Sequence, residues 1–176
     1  MSRKVYILLT RFEDTGARTI SALTMSKYNH ASIGLEEDMN TFYSFVLKGF
    51  IVEKITRYVK KYPIACQLYE LNVSDKAYDT IKRIISKFEE NKCQLGYTRF
   101  GVLMSLLKIK YKKKNRYFCS HFVAEMLKLS NAAILKKRSA MYFPRDFKKI
   151  PGLNLKFQGN LKSFIQHFGI ENSVVV

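Results

Sequence analysis

Cysteine is scarce in this chain of 176 residues: Cys66, Cys93 and Cys119 are the whole complement, and no two form a C-x-x-C pair. An odd number of separated cysteines argues against a secreted disulfide framework and fits reduced thiols. Zinc is disfavoured too, because Cys119 and His121 have no second ligand pair at suitable spacing. Long apolar runs are also missing. No segment reaches the roughly 20 apolar residues of a membrane helix. The apolar run at 5–9, interrupted by Arg11, is shorter than the roughly 7–15 residues of a signal-peptide core. These absences give the expectation of a cytoplasmic protein without a transmembrane segment. Glycine is thinly spread, with Gly16, Gly34, Gly49 and Gly101 isolated, so no glycine-rich phosphate loop is present. Acidic residues number 14 against 31 basic ones, a formal net charge of +17. Such an excess attracts anionic polymers and surfaces. It is spread along the chain, which also fits plain surface solvation.

What the chain does have is a core. Hydrophobic residues make up 47% and aromatic residues 14% of it. That suits one folded domain over 1–176. The unbroken Val/Ile/Leu character of 4–10 predicts a buried strand. Segments 28–35 and 40–46, joined by Glu36-Glu37-Asp38, predict a hairpin with the three acids as a solvated turn. Segment 49–55 reads as a strand or a loop, and 64–73 as a strand. Ser74 is a helix N-cap before Tyr78, Ile81, Ile84, Ile85 and Phe88 at helical spacing. Short helices are expected at 16–25, 100–107 and 161–168, and a helix from Cys119 to about Leu129. Pro144 and Pro151 mark loops, and 174–176 reads as a frayed end. The expected class is α+β, with helices on mainly antiparallel strands.

Cys119 carries the chemistry. In Tyr117-Phe118-Cys119-Ser120-His121-Phe122-Val123 it stands at the front of a helix, where the helix dipole favours a thiolate. Cys119, Phe122, Val123, Met126 and Leu127 share one face, and Asn115 is a candidate cap. A buried free cysteine is also ordinary core filler. His30, on the strand Tyr28-Asn29-His30-Ala31-Ser32, is the candidate base. His121 and Glu125 read as a surface pair and His167 as a surface or packing residue. A third group should orient His30. Hairpin arithmetic places Ser44 or Tyr43 across from His30, depending on the turn, and Glu53 is the nearest carboxylate outside the turn; the sequence makes no choice between Ser44 and Glu53.

Taken together, these residues resemble the circularly permuted papain-like amidases of the NlpC type, the YiiX/YaeF-like group. His30-Ala31-Ser32-Ile33-Gly34-Leu35 is similar to that family's histidine strand, and Asn40-Thr41-Phe42-Tyr43-Ser44-Phe45 to its hairpin partner. Phe118-Cys119-Ser120-His121-Phe122-Val123 is similar to its Cys-Ser-x-Phe-Val helix start, and Phe143-Pro144-Arg145-Asp146-Phe147 to the Pro-x-Asp-Phe stretch that follows. The likeness runs over about residues 4–150. One departure is that Tyr43 and Ser44 stand where many members carry a carboxylate or other polar orienter. The resemblance implies a permuted papain-like fold, with a small antiparallel sheet or open barrel packed against helices. It also implies a cofactor-free thiol hydrolase, peptidase or amidase.

In that reading His30 deprotonates Cys119 and the thiolate attacks a carbonyl to form a thioester. The Cys119 backbone N–H, with Tyr6 as a second donor, holds the oxyanion. Substrates would be peptides, cell-wall peptides, other amides or acyl esters, with an acyltransferase or lipase as close variants. A different class of reading is a non-catalytic basic protein. It would bind nucleic acid or anionic lipid through the basic segments 54–61 and 108–116, the latter with six basic residues in nine.

Overall fold

The computed structural model describes residues 2–13, 26–58, 63–94, 96–97 and 115–170. The helices expected over 16–25 and 100–107, most of the basic stretch 108–116, part of 54–61 and the C-terminal valines lie outside the described residues.

Strands β1 (Ser2–Arg11), β2 (His30–Leu35), β3 (Thr41–Val46), β4 (Gly49–Lys54), β5 (Ala65–Ser74) and β8 (Leu153–Asn160) form one sheet of six strands in the order β4-β3-β2-β1-β5-β8. Each neighbour in this sheet is antiparallel. The edge strands β4 and β8 do not meet, so the sheet is not closed into a barrel. Strands β6 (Gly96–Tyr97) and β7 (Arg116–Tyr117) form a separate parallel pair. The helices are α1 (Asp75–Glu90), α2 (Cys119–Leu129), α3 (Pro144–Phe147) and α4 (Leu161–His167). The class is α+β, as expected. No helix among the described residues is long and apolar enough to cross a membrane.

The unbroken apolar run of β1 has a direct cause: both faces of the sheet are covered. Val5, Ile7 and Leu9, with Ala31 and Ile33 of β2, pack against Tyr78 and Ile81 of α1 and Phe122, Val123 and Met126 of α2. Leu8 turns the other way and joins Phe42, Leu68 and residues Leu161, Phe164 and Ile165 of α4. Ser74 caps α1 by accepting from the Ala77 N–H.

Of the two readings of segment 49–55, strand and loop, the structure takes the strand, β4. Other elements differ from the sequence expectation. The turn acids are tied down: Glu36 accepts from Arg3 and the Lys4 N–H, Glu37 from Tyr78 and Lys82, and Asp38 from Thr41 and Lys54. Strand β8 has no clear sequence signature, because much of it is exposed. Pro144 opens the short helix α3, where Asp146 accepts from the Phe143 N–H at 2.8 Å and Phe147 is fully buried.

Candidate active site

Cys119 is the first residue of α2, and Phe118 is its N-cap with extended backbone. No side chain caps this helix start. The expected Asn115 cap is therefore a correction. Asn115 has φ of 57° in the turn before β7, and its carbonyl accepts from the Gly96 N–H. A residue in left-handed backbone three positions upstream of the N-cap does not reach the first-turn N–H groups. Cys119 is 8% exposed.

His30 opens β2 beside Thr10 of β1. Its Nε2 lies 2.8 Å from Glu53 Oε1, and both side chains are buried. The ring of Phe12 stands edge-on to the imidazole at 5.4 Å, and Tyr58 packs on Phe12 at 5.5 Å. Phe12 is held in place by Asn29, whose side chain bonds both the N–H and the carbonyl of Phe12 at 2.9 and 2.8 Å. The imidazole is also hydrogen-bonded to the side chain of Cys119.

This row of three groups sets the charges. Burial alone would lower the His30 pKa. The charge of Glu53, reinforced by the hydrogen bonds that the imidazolium donates to Cys119 and Glu53, overrides it and raises His30 from 6.5 to about 10. Burial alone would push the Cys119 thiol up. The hydrogen bond and charge of His30 win, helped by the backbone N–H groups of Ala31 and Ser120, and hold the thiol below its ordinary 9.0. The favoured state is a thiolate–imidazolium pair with a carboxylate behind it.

Of the two orienting candidates, Glu53 meets the imidazole and Ser44 does not. Ser44 is fully buried and donates to the Ala31 carbonyl at 2.7 Å. The β2–β3 ladder is registered only at Ile33–Tyr43 and Gly34–Phe42. Beyond it, Ser44 takes the Ala31 carbonyl while the Ala31 N–H, on the same side of the strand, turns to Cys119. Sequence reasoning missed this donor, because a backbone group freed by a ladder ending leaves no residue signature.

The other expectations divide. Tyr6 lies four residues down β1 from the Thr10–His30 rung, and its hydroxyl lies 3.4 Å from the Glu70 carboxylate. The structure does not bring it to the sulfur. The surface pair His121–Glu125 is also a correction: both residues are buried. His121 packs against the rings of Tyr117 and Phe118, and Glu125 accepts from Ser139. Helix α2 is enclosed on nearly every side, so its flanks are interior too. His167 is exposed, with its ring against Phe157 and Phe168. Cys66 is core filler, pushed up to about 12 by burial, and Cys93 is exposed. No group of three or more His, Cys, Asp or Glu among the described residues is arranged to hold a metal ion.

No protein-family model and no curated protein sequence matches this chain.

Proposed function

We propose that this protein is a cysteine hydrolase of permuted papain-like architecture, cleaving an amide or ester through a thioester on Cys119. The observation that carries the reading is His30 joined on one side to Cys119 and on the other to Glu53. The chain order also supports it: the histidine strand precedes the helix whose first residue is the nucleophile.

The chemistry follows from the charges. The Cys119 thiolate adds to the substrate carbonyl, and the oxygen takes the negative charge. The Cys119 N–H at the uncapped start of α2 faces that oxyanion and stabilises it. As the C–N or C–O bond breaks, the imidazolium of His30 gives its proton to the leaving group, and a thioester remains. Neutral His30 then takes a proton from water, the hydroxide adds to the thioester, and the C–S bond breaks to release the acid. Glu53 holds the ring at Nε2. An acyl acceptor other than water would make the same site a transferase. Cytoplasmic residence, where thiols stay reduced, suits this nucleophile.

The test is turnover of activated acyl esters and short peptide amides, with intact-mass detection of the acyl group. An acyl adduct on Cys119 that is lost in Cys119→Ala supports the reading. Turnover that survives Cys119→Ala, or no acylation of any substrate by the folded protein, sinks it.

A further inference from the structure

A second feature lies away from the Cys119–His30–Glu53 row and shares no residue with it. Residues 128–149 carry seven basic side chains and a single acidic one, Asp146. Asp146 is already neutralised: Lys137 Nζ lies 2.7 Å from it and the Phe143 N–H 2.8 Å. Beside that ion pair a shallow hollow of about 240 Å³ brings together Ile134, Lys136, Lys137, Tyr142 and Lys149. Lys136 and Lys149 are exposed. So are two aliphatic side chains, Ile134 at 85% and Leu129 at 52%. They stand on either side of the turn that closes α2, where the Ala132 N–H donates to the Leu127 carbonyl at 3.0 Å.

An isoleucine this exposed adds nothing to the core and costs hydration. Set among lysines, it has the composition of a side chain that enters the headgroup boundary of a bilayer while cations meet lipid phosphates. We infer that this face docks the protein on an anionic lipid surface, with Ile134 as the apolar contact and Lys136 and Lys149 as the phosphate contacts. Nucleic acid suits the face less well. Strand binding draws on exposed rings for base stacking, and the rings here, Tyr142 and Phe143, are 3% and 7% exposed.

The experiment is co-sedimentation of the full chain with phosphatidylcholine vesicles, with and without phosphatidylglycerol. Binding should require the anionic lipid and weaken with salt. Lys136→Gln/Lys149→Gln should weaken it on the order of 25-fold, at about fivefold per lysine, and Ile134→Ser about tenfold. These positions are exposed, and unchanged circular dichroism checks the fold. Lys76→Gln/Lys87→Gln removes the same charge from exposed positions on α1 and should bind nearly as wild type. Cys119 alkylation should be unaffected in all of them. Equal loss in the α1 control would reduce the effect to bulk charge and overturn the proposal. So would vesicle binding that ignores Ile134, or binding of single-stranded oligonucleotide without binding of anionic vesicles.

Discussion

Glu53 reaches His30 at 2.8 Å although the ladder sets them far apart. Glu53 pairs with Phe42, and Phe42 pairs with Gly34, four residues along β2 from His30. In a flat sheet that offset, four residues along and two strands across, is roughly 16 Å between backbones. Only a sheet that curls over the α4 face brings the two side chains together. The carboxylate is thus delivered by curvature, and the curvature has its own residue requirement at Gly34.

The first prediction concerns the charge on His30. Glu53 is the largest influence raising its pKa, so Glu53→Gln should move it down from about 10. Each unit lost is about a tenfold loss of proton affinity. The alkaline limb of turnover, which reports the protonated imidazole, should shift to lower pH. Iodoacetamide labelling of Cys119 at neutral pH should slow. A limb that stays in place in Glu53→Gln would show that the carboxylate does not tune the ring.

The second prediction separates the thiols. Cys119 is held below 9.0 by His30, whereas Cys66 is pushed up to about 12 by burial. Native labelling should modify Cys119 near neutral pH and leave Cys66 untouched, with exposed Cys93 as the accessibility control. Replacing His30 by alanine removes both leading influences that lower the thiol, so the pH midpoint for labelling Cys119 should rise. Peptide mapping by mass spectrometry reads all three cysteines in one sample. Labelling of Cys119 with the same midpoint in wild type and His30→Ala would contradict an activated pair.

The same curl explains how far the sequence could be read. Local features were legible. The unbroken apolar run at 5–9 reported a sheet covered on both faces, Ser74 reported a cap, and the Cys119 face reported a packed helix. Cys119 and His30 were recognisable as residue types on separate rigid elements. The choice between Ser44 and Glu53 was not legible, because hairpin arithmetic assumes a flat ladder. It favours the near neighbour, and here the ladder between β2 and β3 ends before Ser44. Tyr6 failed for a similar reason, since sharing a central strand says nothing about position along it. His121 and Glu125 looked like a surface pair because i,i+4 polar spacing is usually solvated. Tyr117, Phe118 and the segment at 139–142 enclose that flank. Strand β8 was illegible because an edge strand that is largely exposed carries little alternation.

Gly34 gives the third prediction. A Cβ at this position would stand 2.7 Å from Cε1 of Phe42, whose ring is fully buried and has nowhere to retreat. Gly34→Ala should therefore destabilise the fold by about 1–3 kcal/mol, the range for an extra methyl in a packed core. Because Phe42 sits between Gly34 and Glu53 in the ladder, folded Gly34→Ala should also label Cys119 more slowly than wild type. Chemical denaturation gives the first quantity and alkylation the second. A stable variant with wild-type labelling would remove Gly34 from the site's support.

The fourth prediction is the pH dependence of stability conferred by the pair. His30 is raised from 6.5 to about 10, so its contribution is complete below 6.5 and is lost as pH climbs through 10. Cys119 is lowered from 9.0, so its contribution is complete above 9.0 and is lost as pH falls through the depressed value. The proton counts then fix three regimes. Above the depressed thiol value, as long as the unfolded imidazole still carries its proton, the unfolded chain holds one more proton than the folded pair, and stability rises with pH. Between 6.5 and 9.0 the folded imidazolium–thiolate and the unfolded imidazole–thiol carry equal numbers, and the curve is level. From 9.0 to about 10 the folded pair holds the extra proton, and stability falls. Each sloping regime changes by about 1.4 kcal/mol per pH unit at most. Subtracting the denaturation curve of His30→Gln/Cys119→Ser from that of wild type isolates the pair. A difference that varies steadily between 6.5 and 9.0 would mean that the folded pair does not hold a single shared proton across that range, and would overturn the imidazolium–thiolate pair.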